Sequence, residues 1–317
     1  MFRAKPSVAA LALALIVPAA CAVPKMRSTL DRRPTAAEMA QLWVKPASIA
    51  SRDLFWGPGG PELAPKEGVT YKVESFDETG MSGGWDLEDP EGREYSVKIG
   101  QEAQVEVVVS RLHWAVGYHQ PPTYLLSRYD LSGEKADEMA VTGRFRPKLE
   151  DLDNVGDWSW HENPFVGTRE FKGLVVLQLI LNNWDIKTQQ NKIYEVKRKG
   201  EPNRWYVVRD LGAAFGKTAW PVGTKNNPED YEKQQLIKRV LDNRGVEFDY
   251  DARHKELFED VTADDVVWIC ELLNQITPKQ YADAFRAAAY PQPLADRFIA
   301  KLRSKVQEGL KLRSSPR

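Results

Sequence analysis

A change in hydrophobic periodicity along the chain limits how it can fold. Residues 94–99 alternate between apolar and polar side chains, the pattern of a half-buried strand. Residues 103–116 and 168–181 then carry apolar side chains at helical spacing, and the last hundred residues are mainly helical in pattern. Strands followed by helices predict an α+β chain, in which a small strand-rich part precedes a larger helical part.

Composition indicates a folded globular protein and argues against one class of partner. Of the 317 residues, 42% are hydrophobic and 28% are charged, and ten are tryptophans, which favours a large and well-filled core. The formal net charge is -1. Because such a chain has no overall positive field, we expect no nucleic-acid partner.

The first 22 residues are predicted to be a secretory signal. Arg3 and Lys5 give a positive start, and the uncharged run 8–20 is shorter than the roughly 20 residues that a membrane span needs. Cleavage by a signal peptidase would release the mature chain from residue 23. Alternatively, Cys21 would be the lipidated first residue of a lipoprotein. Both routes predict export, either to the periplasm or to a membrane anchor.

Three segments are predicted after the signal. Residues 23–65 are irregular and rich in proline and glycine, so they are interpreted as a tether and wrapping segment. Residues 66–128 hold strands and one helix, and residues 129–317 hold mainly helices. The last two segments are predicted to be the small and the large lobe.

One lysine stands where a strand approaches a helix. Lys98 is the next-to-last residue of the alternating strand and lies on the polar face of that strand. The next helix carries Glu106 and, one turn earlier on the same face, Glu102. A fixed cation on a strand can grip phosphates, and a carboxylate on the next helix can aim it. Glu106 is the first choice for that carboxylate and Glu102 the second.

Two aspartates follow the next regular elements. Asp185 lies in the polar loop after the helix predicted at 168–181, with Lys187 two residues on. Asp210 directly follows a predicted hairpin, and Gly212 comes next but one. A carboxylate at the end of a strand suits a Mg²⁺ ligand.

This order of elements resembles the protein-kinase-like superfamily, in particular its atypical bacterial and secreted branch. The layout of aspartate, asparagine and aspartate is also loosely similar to the HipA kinases. The resemblance covers roughly residues 66–220 and implies a two-lobed kinase-like fold, with ATP and Mg²⁺ as cofactors. By this resemblance Lys98 and Glu106 would clamp nucleotide phosphates, Asp185 would orient the acceptor, and Lys187 would neutralise the transferred phosphoryl group.

The metal ligands implied by the resemblance are Asp210 and an asparagine. The family places that asparagine five residues after the catalytic aspartate, where this chain has Gln190. Asn191 comes one residue later, and we expect it to be the ligand.

A glycine cluster precedes the lysine strand. Gly80, Gly83 and Gly84 would let backbone amides approach phosphates, although they do not form the kinase G-x-G-x-x-G pattern. The four histidines, by contrast, show no metal-ligand spacing.

The sequence therefore predicts an exported, ATP- and Mg²⁺-dependent phosphotransferase. Its acceptor would be a protein hydroxyl, a sugar, a lipid headgroup or a small molecule. Two alternatives remain open: a non-catalytic envelope binding protein with the same fold, and a transferase that moves AMP rather than phosphate.

Overall fold

The computed structural model describes four stretches of the chain, 24–77, 84–133, 142–187 and 190–314. The predicted signal at 1–22 lies outside them, as do Cys21, Gly80 and Gly83. None of the helices in the described stretches has the length and apolar character needed to cross a bilayer.

Strands dominate the first half of the described chain and helices the second. In chain order the strands are β1 (Arg27–Ser28), β2 (Thr70–Asp77), β3 (Gly84–Glu88), β4 (Glu94–Ile99), β5 (Tyr124–Leu126), β6 (Asp130–Ser132), β7 (Gly143–Pro147), β8 (Leu152–Asp157), β9 (Glu162–Asn163), β10 (Lys192–Val196), β11 (Arg204–Val207), β12 (Ile237–Val240) and β13 (Val246–Phe248). The helices are α1 (Ala36–Met39), α2 (Glu102–Ala115), α3 (Arg169–Ile180), α4 (Pro228–Lys233), α5 (Ala263–Leu273), α6 (Pro278–Ala287) and α7 (Gln292–Leu310).

The small lobe is a six-stranded sheet with the order β5-β7-β4-β3-β2-β6, against which α2 packs. Strand β4 alternates as predicted, because Tyr95 and Val97 are buried in an aromatic cluster while Lys98 lies on the opposite face. The sheet extends to Pro147, beyond residue 128, where the sequence placed the end of the small lobe. Strand β7 alternates over only five residues, and its two arginines are buried rather than exposed, which the sequence alone does not indicate.

The large lobe is built on helix packing. Helix α3 packs against α5, and α7 packs against α4, α5 and α6. The sequence Thr262-Ala263-Asp264-Asp265 predicts a capping box, and Thr277-Pro278 predicts an N-cap followed by proline at the first helical position. Both predictions are confirmed, at the starts of α5 and α6. The helical spacing of Leu294, Phe298, Leu302 and Val306 predicts a core-facing stripe on α7. This is confirmed for Phe298, which is buried among Phe215, Phe285 and other aromatic rings. The predicted two-lobed α+β fold is confirmed.

The chain before the sheet runs over both lobes. The Arg27 amide donates to the His161 carbonyl at 2.8 Å, where β1 pairs with β9 in the large lobe. Further on, the Gln280 side chain of α6 donates to the carbonyls of Ile49 and Arg52. The Tyr124 hydroxyl of the small-lobe sheet donates to the Gly60 carbonyl at 2.8 Å. This N-terminal segment, residues 24–65, therefore joins the two lobes.

One lysine is buried inside the large lobe. Lys305 Nζ on α7 donates to the Leu179 carbonyl at 3.3 Å and to the side-chain oxygen of Asn182. Burial is the main cause that lowers the pKa of Lys305 to about 7. The unfolded chain keeps this amine protonated up to about pH 10. Between these values the unfolded state binds more protons than the folded state, so the contribution of Lys305 to stability rises with pH.

We expect this dependence to disappear in Lys305→Met, because methionine fills the same space without a titrating group. From about pH 7 to about pH 10, the free energy of unfolding of the wild type relative to the variant should rise by up to about 1.4 kcal/mol per pH unit. Urea denaturation of both proteins across this range measures the difference. A difference that stays flat would mean that the amine remains protonated in the fold.

Candidate active site

A cavity of about 520 Å³ lies between the lobes, a size typical of small-molecule sites. Lys98 and Glu102 line it from the small lobe, and Asp185, Lys187, Gln190 and Asp210 are among its residues from the large lobe. A larger hollow of about 830 Å³ lies elsewhere, between residues 28–39 and 166–170. That hollow is more open to solvent, and its Arg32 already pairs with Glu38. The cavity between the lobes is therefore the better candidate.

Lys98 stands at the centre of the charged network. Its Nζ is 2.6 Å from Glu102 Oε2 and 4.0 Å from Glu106 Oε2, and it also donates to Asp210 Oδ1. Burial by itself lowers the pKa of Lys98, but the charges of Glu106, Asp210 and Glu102 outweigh it and raise the pKa above its ordinary value. Lys98 is thus a fixed cation at neutral pH.

The order of its two helical partners is the reverse of the prediction. Glu102 is in direct contact with Lys98, whereas Glu106 lies one turn deeper. Glu106 Oε1 instead lies 2.6 Å from the Arg146 guanidinium and 3.2 Å from that of Arg144. The two arginines of β7 attract the carboxylate that the sequence assigned to Lys98.

The Glu106 carboxylate is buried but remains charged. Burial alone would raise the pKa of Glu106, but Arg144, Arg146 and Lys98 together lower it to about 2. Burial in turn lowers the pKa of Arg144 to about 10. Glu106 therefore neutralises cations beneath the sheet and reaches Lys98 only at the limit of an ion pair.

Asp210 follows β11 in a left-handed backbone conformation, with φ of 56°. Its Oδ1 accepts from Lys98, and its Oδ2 accepts from Gln190 Nε2 at 2.6 Å. Gly212 is required by packing, because a Cβ there would lie 2.4 Å from the Cβ of Glu102. The turn after β11 is therefore pressed against the first turn of α2, which brings Asp210 to Lys98.

Asp185 lies in the loop after α3, as its position in the sequence predicts. Its Oδ2 accepts from Lys187 Nζ at 2.7 Å, and Gln190 Nε2 lies 3.5 Å from the same oxygen. Gln190 thus bridges Asp185 and Asp210, the two aspartates of the cavity.

The structure does not support Asn191 as the residue that reaches the two acids. Asn191 is buried outside the cavity lining, and its carbonyl accepts from the Trp158 amide at 3.3 Å. Gln190, which holds the position expected from the family spacing, points at the acids instead. Gln190 and Asn191 are adjacent in sequence, but the first lines the cavity and the second is buried away from it.

Gly84 is also placed differently from the prediction. It begins β3 and pairs with Lys98 across the sheet, so it belongs to a strand and not to a phosphate-binding loop. The backbone opposite Lys98 therefore carries no side chain at this point.

One wall of the cavity consists of residues that the sequence does not predict as site residues. It contains the exposed side chains of Trp220 and Val222, together with Lys225 and Arg253. The Arg253 guanidinium lies 3.9 Å from the centre of the Trp220 ring, and Lys225 pairs with Glu102. These residues carry no local pattern, and only the exposed aromatic beside cations could have drawn attention to them.

The residues present fit a hard cation. Asp210 provides a carboxylate oxygen, with the carboxylate of Asp185 nearby, which is the donor type that Mg²⁺ prefers. Gln190 turns its amide nitrogen towards both acids, and rotation of this amide by half a turn would present its oxygen to a metal instead. Lys98 beside Asp210 adds the positive charge that a polyphosphate needs.

Comparison with known proteins gives likenesses in structure and none in sequence. The sequence matches no family model and no curated protein. Among solved structures, the chain is similar to the proinflammatory kinase CtkA of Helicobacter pylori, with 10% sequence identity and a TM-score of 0.48. The match covers 77% of this chain and 98% of that chain. A likeness of this degree says nothing about activity, so the chemistry must be argued from the residues of the cavity.

Proposed function

We propose that the chain is an exported phosphotransferase that uses ATP and Mg²⁺ and transfers phosphate to a hydroxyl acceptor. One observation carries the proposal: Lys98, Asp185 and Asp210 come from distant parts of the sequence and line the same cavity. If these three residues had unrelated roles, nothing would bring them together in one cleft between the lobes. The predicted signal at 1–22 is the basis for proposing export.

On this proposal the small lobe binds the nucleotide phosphates. Lys98, held by Glu102, would contact the phosphates as a permanent cation. Asp210 and Gln190 would hold Mg²⁺, which neutralises charge on the phosphates when bound. Because Asp210 contacts both Lys98 and Gln190, the phosphate-binding and metal-binding groups are already adjacent.

The acceptor would be handled by the loop after α3. Asp185 would accept or orient the proton of the acceptor hydroxyl. Lys187, at 2.7 Å from Asp185, would stabilise negative charge on the transferred group. The wall at Trp220 and Arg253 would then face the acceptor side of the cavity with one aromatic ring and one cation.

Two alternatives use the same residues. Transfer of AMP needs the same metal and phosphate contacts, and the chemical identity of the product distinguishes it from phosphate transfer. A non-catalytic binding protein is favoured by a specific observation: both oxygens of Asp210 already accept hydrogen bonds, from Lys98 and from Gln190. A carboxylate paired in this way would serve structure without any metal, although each oxygen keeps a second lone pair.

A thermal-shift experiment tests for a nucleotide site. At about 100 times its dissociation constant, Mg²⁺-ATP should stabilise the chain from residue 23 onward by about 2.7 kcal/mol. For a chain of this size, each kcal/mol raises Tm by about 2–4 °C or somewhat less. Asp210→Ala should lose the shift, because it removes the carboxylate proposed to hold the metal.

The matched control is Asp264→Ala, which removes an exposed aspartate of α5 that pairs with Arg244 away from the cavity. It should keep the full shift. If neither ATP nor GTP raises the Tm of the wild type with Mg²⁺ or Mn²⁺, the catalytic proposal fails and the non-catalytic alternative replaces it.

A further inference from the structure

Two histidines and a glutamate meet in the large lobe, outside the cavity. His161 immediately precedes β9, whereas His254 and Glu256 lie at the start of a short 3₁₀ helix, Lys255–Phe258. His161 Nε2 is 2.8 Å from Glu256 Oε1, and His254 Nδ1 is 3.0 Å from the same oxygen. Three potential metal ligands therefore converge from segments that are 93 residues apart in sequence.

The spacing of these atoms suits a small metal ion. The three donor atoms lie within 4.8 Å of one another, the feature that distinguishes this group among the described residues. In a tetrahedral site with metal bonds of about 2.0–2.2 Å, neighbouring donors stand roughly 3.3 Å apart. The distances from Glu256 Oε1 to the two histidine nitrogens, 2.8 and 3.0 Å, are already close to that value. A metal could therefore be accommodated by side-chain rotation.

The backbone around the three residues is firmly held. The His161 amide donates to Ser159 Oγ at 3.1 Å, and its carbonyl accepts from the Arg27 amide at 2.8 Å. The backbone of His254 is left-handed, with φ of 60°, an uncommon conformation for a residue with a side chain. This conformation lets His254 and Glu256 direct their side chains to one point.

The site is enclosed on most sides and open on one. The side chains of His161 and Glu256 are only 12% and 14% exposed, while that of His254 is 30% exposed. Water or another ligand can therefore reach a fourth position beside His254.

We propose that His161, His254 and Glu256 bind a divalent transition metal, for which Zn²⁺ is the best match. Two imidazoles and one carboxylate form a known type of three-residue zinc site with a fourth position for water. Imidazole ligands also exclude Mg²⁺ and Ca²⁺ as the preferred ions, since both favour oxygen. The proposed zinc site is therefore separate from the Mg²⁺ site of the cavity and does not depend on the proposed function.

The position of the site indicates what the metal would do. His161 lies where the N-terminal segment joins the large lobe, through the hydrogen bond from Arg27. His254 follows Arg253, which stacks on Trp220 in the cavity wall. The Tyr250 hydroxyl donates to the Arg253 carbonyl at 2.9 Å, which further ties this turn down. A bound metal would therefore link the region where the N-terminal segment meets the large lobe to the turn that carries Arg253 of the cavity wall.

Metal titration of the chelator-treated chain tests the site. We expect one equivalent of Zn²⁺ to bind, measured by calorimetry, and Co²⁺ to give the visible absorption of a tetrahedral complex. His254→Ala removes a partly exposed ligand and should weaken binding by at least roughly 100-fold. Glu256→Gln should also weaken binding, although its amide can still contact both histidine rings.

His119→Gln is the control, because it changes a histidine that hydrogen-bonds to the Ala40 carbonyl and stacks on Trp205 outside the cluster. It should bind Zn²⁺ as the wild type does, and circular dichroism should show that each variant is folded. Failure of the wild type to bind Zn²⁺ or Co²⁺ would overturn the proposal. Undiminished binding in both His254→Ala and Glu256→Gln would overturn it as well.

Discussion

Replacing Glu106 by glutamine should lower the free energy of unfolding by about 3–5 kcal/mol. Glu106 is buried, and its carboxylate contacts the guanidinium groups of Arg144 and Arg146, which are buried with it. Glutamine keeps the shape of the side chain but removes its charge. Two buried cations would then face each other without a counter-charge, the costliest result of breaking a buried ion pair. Equilibrium unfolding in urea, followed by far-UV circular dichroism, measures the loss.

Glu102→Gln is the matched control. It makes the same chemical change one turn away, but its partners Lys98 and Lys225 line the cavity, where water can solvate them. We expect a clearly smaller loss of stability. Equal losses in the two variants would contradict the assignment of Glu106 as the charge that the fold requires.

A second variant of the buried cluster strengthens this test. If the cost of Glu106→Gln comes from uncompensated cations, then adding Arg146→Met should recover part of the lost stability. Losses that simply add would instead indicate that the arginine contributes by packing alone.

Asp185→Asn should lower the rate of phosphate transfer by about 10²–10⁴-fold, the range typical of a lost general base. Asparagine is nearly isosteric and can still accept a hydrogen bond from Lys187, so the loop should keep its structure. The shift in Tm caused by Mg²⁺-ATP should persist, because Asp210 and Lys98 are untouched. Formation of ADP from ATP, with water as the acceptor, provides a readout that requires no knowledge of the natural acceptor.

Asp251→Asn is the control for this prediction. Asp251 is an exposed aspartate that pairs with Lys255 and does not line the cavity. Its replacement should leave ADP formation unchanged. If Asp185→Asn matches the wild type in rate, Asp185 is not the group that handles the acceptor proton.

The elements that the sequence predicted best are those with local signals. Strand β4 and helix α3 have apolar residues at the spacing of their own secondary structure, and Thr262 and Thr277 cap helices through residues three positions away. Hydrogen bonds and burial within such elements depend on neighbours in sequence, so the amino-acid pattern is sufficient to predict them.

The errors arose where a distant partner decides the role of a residue. Glu102 and Glu106 share one face of α2, and only the arginines of β7 determine which carboxylate is left for Lys98. In that strand the polar positions are buried charges, whereas the alternating pattern by itself would place them in solvent. Gln190 and Asn191 differ by one position, and the choice between them depends on how the segment before β10 is oriented.

The wall at Trp220 and Arg253 and the cluster of His161, His254 and Glu256 have no sequence signature at all. Their members are brought together by the fold of the large lobe, across separations that exceed any local motif. The absence of metal-ligand spacing among the histidines therefore excluded only sites built from one short segment, and not a site assembled from two.

The N-terminal segment has a consequence for how the cavity opens. Residues 24–65 are hydrogen-bonded to α6 in one lobe and to Tyr124 in the other. If the lobes rotate apart, the distance between these attachment points changes, and the hydrogen bonds at either end resist that change. The energy barrier to rotation, and with it the residence time of any molecule held between the lobes, is therefore set partly by a segment that never contacts the cavity.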